Sequence, residues 1–210
     1  MLSELPFAAR YIYSPRGQSE VSDKSRRIRD WLKAAFEPAL AKMAERVRID
    51  VEEGEYAEFF GADVVLVPVP GSTPRKDTST LWVGERLCDA LLAEGLAGSV
   101  SPYLVRNHQV PKSAFQARGN RPTVKTHYDS ISASADLLQP PRILLIDDIV
   151  TKGCTLLACG SRIQETLPDT NVKAFAMLRT MGLIPDVTQT ADPCVGVISA
   201  LAGDDANRAP

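Results

Sequence analysis

The sequence lacks several features that would assign it to other classes of protein. Its four cysteines form no CxxC pair, which argues against a zinc site or a disulfide framework and makes the cytosol the expected compartment. No apolar run reaches the length that spans a membrane. The net charge is −2, so no overall basic field favours binding to nucleic acid. There is also no internal repeat and no low-complexity tract.

What is present is the composition of a globular protein. The chain has 210 residues, of which 44% are hydrophobic and 24% are charged, enough for one medium-sized domain with additions. We predict an N-terminal helical segment over residues 1–60, a core over residues 61–182 and a C-terminal extension over residues 183–210. Residues 1–20 receive no role beyond packing onto the domain, and residues 204–210 are expected to fray.

The most informative stretch is RILLIDDIVTKGCT, residues 142–155. Residues 143–146 form a continuous apolar run, typical of a strand covered on both faces at the centre of a parallel sheet. Asp147 and Asp148 follow, so we expect two carboxylates at the edge where open α/β sheets bind ligands. The loop after them consists of Thr151, Lys152, Gly153, Cys154 and Thr155. It leads into a helix-like segment, whose first N–H groups favour an anion.

These residues together predict a sugar phosphate ligand, with the carboxylates on ribose hydroxyls and the loop on the phosphate. Three other interpretations fit the strand alone. A Walker B strand needs a GxxxxGK[ST] loop, which the chain does not contain. A receiver domain would carry its acid pair near the amino end, not at residue 147. A buried strand that ends in a solvated turn stays open as an alternative.

A second strand-and-loop pattern lies at DVVLVPVP, residues 63–70. Its apolar run predicts another buried strand, which Pro68 and Pro70 would end. The residues that we single out in the following loop are Pro70, Gly71, Ser72 and Arg75. A stiff loop with free amides and a nearby cation favours a pyrophosphate group. An ordinary strand-to-helix turn is the alternative.

The order of the remaining patterns predicts the fold class. Strands near residues 64, 103, 143 and 173 alternate with helices near residues 80 and 156, and residues 195–201 suggest one more strand. This alternation predicts an α/β fold with a mostly parallel sheet and helices on both faces. Before it, an apolar stripe from residue 28 to residue 47 predicts a helix, capped by Ser22 or Asp23 and kinked or split at Pro38.

The stretch LLIDDIVTKGCT resembles the diphosphate-sugar binding motif of the type I phosphoribosyltransferases, in which aliphatics and two acids precede a Thr- and Gly-containing loop. The chain departs from the motif at Lys152, where the family usually has a small residue. The VPVP segment is similar to the ComF-like group, although the four-cysteine ribbon of that group is missing from the amino end. The resemblance covers roughly residues 63–180 and implies the type I phosphoribosyltransferase fold.

The resemblance also implies a function. It implies binding of phosphoribosyl diphosphate with Mg²⁺, in which Asp147 and Asp148 act on the ribose and reach the metal indirectly. It implies that the polar stretch from residue 106 to residue 127 contains a mobile loop that closes over the donor, with Arg118 and Arg121 as candidates. A disordered surface loop is the alternative. We expect His127 in this stretch to lie at the surface, and a role as a proton donor is the alternative.

The acceptor is left open. Members of the resembled family that use 6-oxopurines have an acid at the position of Thr151, so a hypoxanthine or guanine acceptor is disfavoured and an unknown, nucleobase-like acceptor is expected. The alternatives are a regulatory protein that senses phosphoribosyl diphosphate without catalysis, and a ComF-like protein linked to DNA uptake. A homodimer is left open, and neither a membrane nor a nucleic acid is an expected partner.

Overall fold

Strands and helices alternate along most of the chain in this computed structural model, which describes residues 1–77, 79–111, 122–134, 139–182, 184 and 186–209. The strands are β1 (Glu4–Tyr13), β2 (Gly61–Pro68), β3 (Ala97–Val100), β4 (Leu104–Arg106), β5 (Ile131–Ala133), β6 (Arg142–Val150), β7 (Asn171–Thr180), β8 (Ala191–Leu201) and β9 (Asp205–Ala209). The helices are α1 (Glu20–Lys33), α2 (Glu37–Glu52), α3 (Val83–Ala93), α4 (Val124–Asp129) and α5 (Cys154–Thr166).

The main sheet is mostly parallel, as predicted. Its strand order is β3-β2-β6-β7-β1-β8-β9, and the first five strands in that order run parallel to one another. Strands β8 and β9 extend the sheet in the antiparallel sense. The apolar run of β6 therefore lies between β2 and β7, well inside the sheet, which explains why it is aliphatic at every position.

Helices cover both faces of this sheet, as predicted. Ile143 and Leu145 of β6 belong to a core cluster that also contains the apolar residues of α5. Leu144 and Ile146 belong to a second cluster, which contains the apolar residues of α2 and α3 and Leu32 of α1. Because successive side chains of a strand point to opposite faces, each apolar pair of β6 supports a different helical layer.

The amino-terminal residues differ from the expectation. Residues 4–13 form β1, which pairs with β7 on one side and β8 on the other. The segment has no continuous aliphatic run, and it places Arg10 inside the protein. The guanidinium of Arg10 pairs with Asp50 of α2, with 2.6 Å between Nε and Oδ2. The buried charge in β1 is therefore compensated by a residue forty positions away along the chain.

The flanking helices follow the prediction in outline. The predicted break at Pro38 is confirmed, since α1 ends at Lys33 and Pro38 lies in the first turn of α2. The cap of α1 is Ser19 rather than Ser22 or Asp23, because its side chain accepts the N–H of Ser22. The boundaries at residues 60 and 182 stay a prediction, but β1 and β8 hydrogen-bond into the same sheet as the predicted core.

Two short strands also differ from the expectation. The predicted strand near residue 103 is β4, which pairs with β5 in a separate two-stranded sheet. The neighbour of β2 is instead β3, where Gly98 lies so close to the chain that an added Cβ would be 2.2 Å from the carbonyl oxygen of Ala62. The expected fraying after residue 204 is wrong, because residues 205–209 form β9 against β8.

Candidate functional site

The two loops that the sequence singled out meet at one edge of the sheet. Strands β2 and β6 are parallel neighbours, so their carboxyl ends lie side by side. The pairing continues past the end of β2, where the N–H of Val69 donates to the carbonyl of Ile146 at 2.9 Å. We refer to Asp147 and Asp148 as the acid pair, to residues 70–75 as the β2 loop and to residues 151–155 as the β6 loop.

Helix α3 begins at this same edge and is held close to it. The indole Nε1 of Trp82 donates to the carbonyl of Val69 at 2.8 Å. An added Cβ at Gly84 would lie 3.3 Å from that carbonyl oxygen and 3.5 Å from the carbonyl oxygen of Ile146. Gly84 is therefore a helical glycine that permits close packing of α3 against the strand ends.

The acid pair lies within the last part of β6, which continues to Val150. Both side chains are half-buried. The Oδ1 atom of Asp147 accepts the backbone N–H of Asp148 at 2.8 Å. Burial, together with the negative charge of Asp148, raises the pKa of Asp147, and the positive charge of Lys33 partly opposes this shift.

Lys33 is a neighbour of the acid pair that sequence reasoning did not find. Its Nζ lies 2.5 Å from Oδ2 of Asp148. The residue is in the last turn of α1, 115 positions before its partner, so no local pattern reveals the contact. Among the residues that the structure describes, no ion pair involves Asp147.

The β6 loop turns directly into α5. Gly153 is the N-cap residue of this helix and has a φ of 98°, a left-handed conformation that glycine adopts without strain. Its carbonyl accepts the N–H of Leu157 at 2.9 Å. The first N–H groups of α5 have no acceptor within the helix, so they suit an anion, as the sequence predicts.

The β8–β9 hairpin packs against the β6 loop, a contact that no local sequence pattern predicts. Ile198 of β8 lies over Gly153, where an added Cβ would be 2.5 Å from its Cγ2. Asp205 of β9 pairs with Lys152 and lies 3.5 Å from Sγ of Cys154. Burial raises the pKa of Cys154 to about 11, so its thiol stays protonated at neutral pH and donates to that carboxylate.

The remaining side chains of the β6 loop are hydroxyls with polar neighbours. Thr151 Oγ1 lies 3.1 Å from Thr180 Oγ1, at the exposed end of β7. Thr155 Oγ1 lies 3.3 Å from Nε2 of His127. Lys152 and Cys154 are engaged by Asp205, so the groups of this loop that suit a phosphate are its backbone amides and its threonine hydroxyls.

The β2 loop is held by Arg106, the first residue of the polar stretch that the sequence predicts to contain a mobile loop. Arg106 belongs to β4 and is 4% exposed. Its guanidinium donates to the carbonyl of Gly71 at 2.8 Å, to the carbonyl of Pro70 at 3.4 Å and to the hydroxyl of Ser130. Burial lowers the pKa of Arg106. The Arg106 contacts fix which way the peptide groups of the β2 loop point.

The other predicted members of the β2 loop have mixed surroundings. Ser72 accepts the N–H of Val110 with its carbonyl at 2.8 Å. The guanidinium of Arg75 pairs with Glu85 of α3 at 3.1 Å, so its charge is already compensated. Both residues lie where the sequence predicts them, after the end of β2.

His127 is buried rather than at the surface. It lies in α4, is 4% exposed, and its Nδ1 has no hydrogen-bond partner among the described residues. Burial, together with the positive charge of Arg106, lowers the pKa of His127 to about 4. The imidazole is therefore neutral at neutral pH. The candidates Arg118 and Arg121 of the predicted mobile loop lie outside the described residues.

The described residues form no group of three or more histidine, cysteine or acidic side chains that could hold a metal. The acid pair is thus the donor set to test against the implied Mg²⁺. Mg²⁺ binds through one or two carboxylates plus phosphate oxygens and waters, and it does not need an all-protein cage. Asp147, half-buried and without an ion pair in the described part of the chain, fits such a site.

Comparisons with known proteins give distant likenesses. No protein-family model and no curated protein matches the chain. A hypoxanthine phosphoribosyltransferase from Staphylococcus aureus superposes with a TM-score of 0.40 at 11% identity, over 72% of this chain and 68% of the other. The hypoxanthine phosphoribosyl transferase of Trypanosoma cruzi gives a TM-score of 0.35 at 14% identity, over 76% and 71%. The geometry of the sheet edge, and not these likenesses, carries the functional proposal.

Proposed function

We propose that the chain is a phosphoribosyltransferase-type domain that binds phosphoribosyl diphosphate with Mg²⁺. It transfers the phosphoribosyl group to a nucleobase-like acceptor and releases pyrophosphate. The observation that carries this proposal is the acid pair on a central strand, directly before a loop whose Gly153 caps α5 in a left-handed conformation. Carboxylates and free amides are thereby presented together, which suits a pentose and its phosphate ester.

Each part of the donor has a matching part of the sheet edge. Asp147 and Asp148 accept hydrogen bonds from the ribose hydroxyls, and the amides of the β6 loop bind the 5′-phosphate. The β2 loop, with the amides of Gly71 and Ser72, binds the pyrophosphate next to them. The parallel pairing of β2 and β6 supports this assignment, because it places the two loops side by side.

Bound Mg²⁺ would supply positive charge that stabilises the negative charge developing on pyrophosphate. Asp147 and Asp148 are the residues that would hold it, directly or through waters. Their half-buried side chains at the strand end fit this small donor set.

The reaction breaks the bond between the anomeric carbon and the pyrophosphate oxygen, and the electron pair leaves with pyrophosphate. A bond forms between the same carbon and a nitrogen of the acceptor, which loses a proton. Positive charge develops on the ribose next to the acid pair. Positioning and charge stabilisation therefore provide most of the catalysis.

The acceptor is not a 6-oxopurine in this proposal. Thr151 occupies the position at which the resembled family places an acid for such bases, and its hydroxyl contacts Thr180. A neutral pair of hydroxyls favours an acceptor that presents hydrogen-bonding groups and does not need a protein base.

A second candidate function is a sensor that binds the donor without turnover. The observation in its favour is that the described residues of the β6 loop contain no acid, and that the neighbouring His127 is buried with its pKa lowered to about 4. The ComF-like subgroup and its link to DNA uptake stay predictions. So does the homodimer. The cytoplasm is the proposed location, since all four cysteines are free thiols.

The experiment that tests the proposal measures pyrophosphate release. The protein is incubated with phosphoribosyl diphosphate, Mg²⁺ and a panel of purine, pyrimidine and other nitrogen acceptors. Release that depends on one acceptor, and that is lost in Asp147→Asn, supports the transferase. Donor binding without release across the panel favours the sensor, and absence of donor binding contradicts both.

A further inference from the structure

We propose that Lys33 is a built-in counter-ion of the acid pair, which a divalent cation must displace in order to reach Asp148. The inference rests on the proposed function, because it concerns the same two carboxylates. It adds a residue of α1 to the site and predicts competition between a side chain and a metal.

Lys33 is in direct contact with Asp148. Nζ of Lys33 lies 2.5 Å from Oδ2 of Asp148, which is within the range of a charge-assisted hydrogen bond. An ammonium group and a divalent cation repel each other, so they cannot occupy the same carboxylate oxygen.

The side chains of Lys33 and Asp148 differ in their exposure to solvent. The side chain of Lys33 is 51% exposed, whereas that of Asp148 is only 14% exposed. The lysine can therefore leave for water at little cost. The carboxylate stays poorly solvated beside Asp147 and needs another positive charge when the lysine leaves.

Helix α1, which carries Lys33, is anchored at both ends. Leu32, directly before Lys33, is fully buried in the core on that face of the sheet. The start of the helix is held by Asp186, which accepts the N–H groups of Gln18 and Ser19 at 2.7 and 2.8 Å. Since both ends of the helix are fixed, the ammonium exchanges with a metal by rotation of its own side chain.

The test is metal binding by the purified full chain without donor. Mn²⁺ serves as the probe, measured by electron paramagnetic resonance of the free ion. Lys33→Met is expected to bind Mn²⁺ about two- to fivefold more tightly than the wild type, the range that corresponds to the free energy of a partly exposed ion pair. Equal affinity, or no Mn²⁺ binding by either protein, overturns the proposal.

Lys24 provides a matched control. It lies on the same helix, is exposed, and forms no ion pair with the described residues. Lys24→Met removes the same charge from α1 and is expected to leave Mn²⁺ affinity at the wild-type value. An equal gain from Lys24→Met would mean that the overall charge of the helix, and not the contact with Asp148, sets the affinity, which contradicts the proposal.

A second pair of variants isolates the contact. In an Asp148→Asn background, Lys33→Met is expected to leave Mn²⁺ affinity unchanged, because the carboxylate that Lys33 neutralises is gone. The same gain in both backgrounds overturns the proposal. Thermal stabilisation of the wild type by phosphoribosyl diphosphate with Mg²⁺ is measured separately. Stabilisation by the donor with no effect of Lys33→Met refutes this inference alone, whereas no donor stabilisation refutes the proposed function.

Discussion

Arg106 brings a positive charge into the interior beside the β2 loop. No ion pair neutralises it within the described residues, and three of its N–H groups serve carbonyl and hydroxyl acceptors. Arg106→Met removes these donors and leaves the carbonyl of Gly71 without its partner. We expect a loss of about 2–4 kcal/mol in the free energy of unfolding, measured with urea.

Arg16→Met is the control for this prediction. Arg16 is exposed, and we expect its replacement to change stability by less than about 0.5 kcal/mol. A similar loss in both variants would contradict the role given to Arg106 in fixing the β2 loop.

Gly153 shows how a single residue is constrained from two sides. Its φ of 98° strains any other residue, and an added Cβ would meet Ile198 at 2.5 Å. Gly153→Ala is expected to lower the free energy of unfolding by about 2–4 kcal/mol, which combines backbone strain with overpacking. Chemical denaturation followed by circular dichroism measures the change.

Gly54 offers a matched control for this substitution. It has the same φ of 98°, and an added Cβ would meet no atom within 4 Å. Gly54→Ala thus reports the backbone strain alone, and we expect about 1 kcal/mol. If both variants lose the same free energy of unfolding, the packing of β8 over the β6 loop does not contribute to stability.

The burial of His127 makes the stability of the protein depend on pH. Its folded-state pKa of about 4 is below the ordinary value, so the unfolded state binds more protons and stability falls as the pH drops through the unfolded-state pKa near 6.5. The expected contribution of this residue is a loss of about 2 kcal/mol between pH 7 and pH 5.

The measurement compares variants at the two pH values. In His127→Asn, the loss of unfolding free energy between pH 7 and pH 5 should be smaller than in the wild type by that amount. His108, which is exposed, serves as the control, and His108→Asn should retain the wild-type dependence. An unchanged pH dependence in His127→Asn would show that folding does not lower the pKa of this imidazole.

The strands differ in how well the local sequence pattern predicts them. The apolar run of β6 predicts a central strand, and β6 lies between β2 and β7. Strand β1 is equally internal, but its sequence contains Pro6 and Arg10, which usually mark an edge or a surface. Strand β9 has few apolar residues and forms through its pairing with β8. Elements stabilised by distant partners are the ones that local patterns miss.

The pairing of β1 with α2 through Arg10 and Asp50 is the best-defined example. Both side chains are about nine-tenths buried. Asp50→Asn leaves the guanidinium uncompensated in the interior, and we expect a loss of about 3–5 kcal/mol in unfolding free energy. The change is measured by urea denaturation.

Asp129 supplies the comparison for Asp50. It pairs with Lys125 on the surface of α4, with both side chains more than half exposed. We expect Asp129→Asn to cost about 0.5 kcal/mol or less. Comparable losses at the two positions would contradict a structural role of the buried pair in holding β1.

The order of elements and the acid-pair strand can be predicted from the sequence because each depends on residues that are neighbours along the chain. The contacts that complete the site are not, since each joins distant parts of the chain. Lys33 reaches Asp148, Asp205 reaches Lys152, and Arg106 reaches Gly71. Only the contact of Asp205 follows from the order of the main sheet, which extends through β1 to the β8–β9 hairpin, since Arg106 lies in the separate β4–β5 sheet and Lys33 lies in α1.

Thermal unfolding with phosphoribosyl diphosphate and Mg²⁺ tests whether the acid pair and the two loops bind this donor. A ligand that binds only the folded state stabilises it by about 2.7 kcal/mol at a hundredfold excess over Kd, which for a chain of this size raises the Tm by about 5–10 °C. We predict this rise for the wild type and for Asp129→Asn. The double variant Asp147→Asn with Asp148→Asn should unfold near the wild-type Tm without ligand and show no rise with it. A wild type that the donor does not stabilise, or a double variant that it stabilises equally, would contradict the account.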